Sequence, residues 1–88
     1  MVEKVVQVVN RAGIHARPAA LIVEMTKDFK SSVYFEQGTN RINAKSILGI
    51  MTLGAVYKSD IKITAEGEDE NDAVEKLSRL FSSKFEDE

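Results

Sequence analysis

The first nine residues are dense in side chains branched at Cβ: Val2, Val5, Val6, Val8 and Val9. Such residues suit a pleated backbone, so the stretch predicts a strand over Val2–Val9, with an irregular register where valines fall in pairs. Asn10-Arg11-Ala12-Gly13 reads as a loop. The period then changes. Ala19, Ile22, Val23, Thr26 and Phe29 recur at three- and four-residue steps, which predicts a helix over about Ala16–Asp28 with that stripe inward and Ala20 and Glu24 off it. Lys30-Ser31-Ser32 interrupts the helix. Val33–Glu36 and Asn40–Asn43 predict two strands, joined by the turn Gln37-Gly38-Thr39 into a hairpin.

In the next stretch, Ser46 is a good cap for a short helix and Gly54 a plausible stop. Ile47, Leu48, Ile50, Met51 and Leu53 are too many apolar residues for one face of two turns. Either the helix is buried on more than one side, or Ile47, Leu48 and Met51 form an exposed patch of the kind that meets partners. Ile61, Ile63 and Ala65 alternate with Lys62, Thr64 and Glu66, which predicts a strand over Asp60–Glu66 with one wet face. After Gly67, Asp69 is a candidate cap, and Glu70 and Asp72 suit the positive end of a helix. Its inward stripe is Ala73, Leu77, Leu80, Phe81 and Phe85, and residues 82–88 are expected to fray. The order β-α-β-β-α-β-α with a half-wet sheet predicts an α+β fold, an antiparallel sheet with helices on one side.

Composition narrows the function. A length of 88 residues implies one domain, 1–88, with a modest core. The net charge of −2 provides no bulk basic surface for nucleic acid, so phosphate chemistry here has to be local. There is no cysteine and hence no disulfide, which is compatible with a cytoplasmic protein. No apolar run approaches about 18 residues, and the first residues lack the apolar core of a signal peptide, so no membrane insertion is expected.

The candidate chemistry is in Gly13-Ile14-His15-Ala16-Arg17-Pro18, which holds the sole histidine. Proline is tolerated in the first turn of a helix and disfavoured deeper, so Pro18 sets the helix start at Ala16 or Arg17. His15 then stands at the end where backbone N–H groups lack partners and the helix dipole is positive, a place suited to phosphate. Arg17 adds a forked cation that fits phosphate oxygens. Both neighbours disfavour imidazolium, so a neutral imidazole with a nucleophilic lone pair is expected near pH 7. The plainer alternative is a surface or capping histidine. A metal site is a poorer fit, with no second histidine and no cysteine to join it. No cofactor is implied.

Two segments together, Gly13-Ile14-His15-Ala16-Arg17-Pro18-Ala19 and Asn43-Ala44-Lys45-Ser46-Ile47-Leu48-Gly49-Ile50-Met51, resemble the HPr family of phosphocarriers of the bacterial sugar phosphotransferase system. The resemblance runs the length of the chain. It implies an open-faced β-sandwich, with a four-stranded antiparallel sheet and three helices on one face. It implies that the protein is a carrier, not an enzyme, and that His15 takes a phosphoryl group at Nδ1 from enzyme I and passes it to IIA domains of sugar permeases. Arg17 corresponds to the family arginine at the phosphoryl group, with Ala16 beside it in the phosphate-binding turn. Ser46 corresponds to the serine modified by HPr kinase/phosphorylase where that enzyme exists, with a catabolite regulator as a further partner. A phosphate on Ser46 would leave the fold intact and impair docking through its charge. Ile47, Leu48 and Met51 match the docking surface beside it, and Ala20 the partner contact near the histidine. A monomer is expected. Ala12 departs from the family, which often carries Asn or Ser there, so side-chain hydrogen bonds from that position are missing. Three competing functions are a carrier for a nitrogen-regulatory branch, a regulatory module of the same fold lacking the histidine, and a nucleic-acid binder. His15 argues against the second and the acidic balance against the third.

Overall fold

The computed structural model describes residues 1–85. Its elements are β1 (Val2–Gln7), α1 (Ala16–Thr26), β2 (Ser32–Gln37), β3 (Asn40–Asn43), α2 (Ile47–Leu53), β4 (Asp60–Glu66) and α3 (Glu70–Ser82). The four strands form one antiparallel sheet in the order β1-β4-β2-β3. Strand alternation sends Val6, Val33, Phe35, Ile61, Ile63 and Ala65 to a buried face. The other face carries Glu3, Glu36, Arg41 and Lys62, joined by ion pairs from Lys62 to both glutamates and from Arg41 to Glu36. Arg41 also lies over the Tyr34 ring, 4.2 Å from its centroid. This is the α+β architecture expected, open on its polar side.

The three helices cover the apolar face. α3 packs on β1 and β4, α2 on β3, and α1 against α2 and α3. Phe35 of β2 meets Phe81 of α3 edge to face at 5.7 Å, and Phe81 meets Phe85 at 5.0 Å. Such pairs add about 0.5–1.5 kcal/mol beyond the area they bury.

Several boundaries differ from the sequence reading. β1 pairs with β4 in unbroken register from Val2 to Gln7, with Val5 outward and Val6 inward, so that pair imposes no irregularity; the strand ends short of Val8-Val9, where Val8 N donates to Ser59 O and Val8 O accepts from Lys58 N. α1 ends at Thr26, short of the expected Asp28, where the backbone tightens, Asp28 N donating to Met25 O and Phe29 N to Thr26 O; Thr26 Oγ1 also donates to Ala44 O at 2.8 Å, and Lys45 Nζ to Phe29 O at 2.7 Å. Val23, assigned to the inward stripe, is half-buried at its margin. Asp69 occupies the cap position of α3, but its side chain makes no cap bond. Its carboxylate instead accepts from Lys30 N, Ser31 N and Ser31 Oγ across the molecule. Nor do residues 82–85 fray. Lys84 N donates to Phe81 O and Phe85 N to Leu80 O, and Phe85 is buried against Phe81. The remainder of the expected frayed tail, 86–88, lies outside the described residues.

Candidate functional site

His15 is the N-cap of α1. Its backbone is extended (φ −118°, ψ −159°), and its carbonyl accepts the first helical bond from Ala19 N at 3.0 Å. Its side chain makes no capping hydrogen bond, so the imidazole is committed to no partner at the helix end. Ala16 opens the helix with an N–H that has no acceptor within α1, and Pro18 has no N–H to place. His15, Ala16, Arg17 and Ala20 are all exposed, while Pro18 and Ala19 are buried and anchor the turn.

The loop before the histidine is built by contacts that are distant in sequence. Gly13 adopts φ +74°, and its N–H donates to Asn10 O at 3.0 Å while Asn10 Nδ2 donates to Gly13 O at 2.6 Å. Ile14 N then donates to Ala55 O at 3.0 Å, and the Ile14 side chain is buried. Asn10 thus closes the loop that Ala12, with its bare methyl, cannot. The signal in the sequence was an Asn three residues before a Gly, a spacing suited to a side-chain-to-backbone turn. Ala55 as acceptor had no local signal.

Around the imidazole the surface sinks into an open depression of about 530 Å3. Its lining includes His15, Arg17, Asn10, Arg11, Tyr57 and Lys84. Cations from three parts of the chain thus surround one histidine on a protein whose net charge is −2. An exposed imidazole, helix-end amides and guanidinium can receive a small anionic group. Three or more His, Asp or Glu groups placed to hold a metal do not occur among the described residues. Likewise, no described helix is long and apolar enough to cross a membrane.

The second predicted segment is a separate site. Ser46 caps α2, its Oγ accepting from Gly49 N at 3.0 Å, and Gly54 ends the helix in the left-handed region. Ile50 and Leu53 are buried, whereas Ile47, Leu48 and Met51 are 48%, 74% and 41% exposed. Of the two readings of this helix, burial on several sides is therefore the wrong one. The three residues form an exposed apolar patch.

Comparison with known proteins agrees with this geometry. The chain is 49% identical to the phosphocarrier protein HPr of Treponema pallidum (strain Nichols) over 88 residues, the whole of both chains. It is 42% identical to the HPr-like protein Crh of Bacillus subtilis (strain 168), over 89% of this chain and 92% of that protein. The crystal structure of HPr-C-His from Thermoanaerobacter tengcongensis superposes with a TM-score of 0.94 at 43% identity, covering 100% of this chain and 99% of that one. A family model described as the PTS HPr component phosphorylation site matches residues 2–83, and with it the fold and both motifs place this chain in the HPr family.

Proposed function

We propose that the protein carries phosphoryl groups in the phosphoenolpyruvate-dependent sugar phosphotransferase system, accepting them on His15 from phosphorylated enzyme I and delivering them to IIA domains of sugar permeases. One observation carries this reading: the single histidine stands exposed at the N-cap of α1 with its ring unused by the cap. In acceptance, the Nδ1 lone pair attacks the donor's phosphorus. A new N–P bond forms, the donor's N–P bond breaks, and its electron pair returns to the donor imidazole. The Nε2 proton leaves to solvent as the donor ring takes one up. Delivery to a IIA domain reverses the roles.

The Ala16 amide and the Arg17 guanidinium stabilise the carried group. Each such surface interaction contributes about 0.3–1 kcal/mol, enough to hold a labile phosphohistidine without trapping it. Ala20 on α1, with Ile47, Leu48 and Met51 on α2, receives the partner. Ser46 is a second phosphorylation point where an HPr kinase/phosphorylase is present. The protein acts as a monomer in the cytoplasm, and turnover belongs to its partners.

The test is incubation with phosphoenolpyruvate and enzyme I from a sugar system or from a nitrogen-regulatory system, with phosphate incorporation followed by mass spectrometry. Wild-type protein is expected to gain one acid-labile phosphate from the sugar-system enzyme. His15→Ala is expected to gain none and to unfold at the wild-type temperature, because the ring makes no cap bond. Phosphate on another residue of the variant, or transfer only from the nitrogen-system enzyme, would reject the proposal.

A further inference from the structure

α3 ends in a way its sequence does not favour. Lys84 and Phe85 both sit at φ +61°, in the left-handed region where glycine is the usual occupant. Two consecutive residues with Cβ atoms in this region carry strain, of a kind that persists only where surroundings enforce it. Here the enforcement is visible. Lys84 N and Phe85 N donate back to Phe81 O and Leu80 O, and Phe85 is buried edge to face against Phe81. The chain therefore doubles back, and Lys84 reaches the depression that holds His15 and Arg17.

Arg11, which also lines the depression, and Lys58, which does not, are differently placed. Arg11 and Lys58 both lie over the Tyr57 ring, at 5.8 and 5.5 Å from its centroid. Lys84 is exposed and forms no ion pair among the described residues. Its ammonium is a compact charge on a flexible stem, able to approach a group that appears and disappears.

We propose that Lys84 is a phosphate-binding residue of the charged carrier: with Arg17, it supplies a second cation to the phosphoryl group on His15. The proposal rests on the reading of His15 as phosphate acceptor. Its effect is on the stability of the phosphorylated state, because the charge it compensates exists only there.

Exchange at equilibrium isolates that effect. Equal amounts of unlabelled wild-type protein and a 15N-labelled variant, which the label separates in mass, are mixed with limiting phosphoenolpyruvate and a trace of enzyme I, and the phosphorylated fraction of each is read by mass spectrometry. Docking defects slow the approach to equilibrium but leave the final division unchanged. Wild type is expected to hold about two- to fivefold more phosphate than Lys84→Gln, the size of one exposed charge pair. Lys84→Glu should show a larger bias and Lys84→Arg an even division. Melting temperatures of the unphosphorylated forms should coincide, because Lys84 is exposed. An even division with Lys84→Gln would overturn the proposal, as would an equal deficit in Gln and Arg variants, which would indicate packing and not charge. Failure of wild type to take up any phosphate would instead sink the reading of His15.

Discussion

At the scale of single residues, the loop that precedes His15 depends on Gly13. A Cβ built there would lie 2.8 Å from Ala55 O and 3.2 Å from Val56 Cα, at a φ of +74°. Gly13→Ala thus combines a disfavoured backbone with a collision against main chain, which has little freedom to retreat. The expected cost is about 1–3 kcal/mol, measured by urea unfolding. Phosphate uptake should slow as well, because the Ile14 N to Ala55 O bond that aims His15 is lost. A variant with wild-type stability would show that the loop relaxes freely. His15, Arg17 and Pro18 were legible in the sequence because their relation is local: a proline fixes the helix start, and the helix start fixes the rest. Asn10 could have been read from its spacing to Gly13. Ala55 and Lys84 could not, since each arrives from a distant element.

At the scale of elements, α2 separates two things that periodicity alone left together. Ile50 and Leu53 satisfy helical spacing, and so do Ile47, Leu48 and Met51. Only the positions of α1 and β3 decide which set turns inward. The cap at Ser46 and the stop at Gly54 were readable because capping is a nearest-turn effect. The end of α1 was not, because no glycine or proline marks it and its side-chain partners, Ala44 and Lys45, are distant in sequence. The exposed patch carries a prediction. Ser46→Asp keeps a capping side chain, so the helix should survive. The negative charge set beside Ile47, Leu48 and Met51 should raise the KM for enzyme I several-fold in a steady-state phosphotransfer assay, with kcat less affected. Unchanged kinetics would remove this surface from the docking site.

At the scale of the whole molecule, the sheet order and its open polar face follow from alternation in β2 and β4, which the sequence displays plainly. The tie that closes the far end of the fold is less visible. The Asp69 carboxylate is held well below its usual range, at about 2, first by Ser31 Oγ and then by the Lys30 and Ser31 amides. A carboxyl depressed in the folded state contributes stability that is complete well above its unfolded value of 3.8 and lost as pH falls toward 2. Asp69→Asn should therefore be destabilised at pH 7 and converge on wild type near pH 2, in urea unfolding across that range. A constant difference at all pH values would assign the effect to something other than the carboxylate. The bonds at the opposite end of α1, from Thr26 to Ala44 and from Lys45 to Phe29, have a consequence of another kind. A rod bolted at its tail resists sliding when a visitor presses on its tip. Because Ala44 and Lys45 lead directly into the Ser46 cap of α2, a load on the helix that follows His15 is passed straight to the helix that bears the apolar patch.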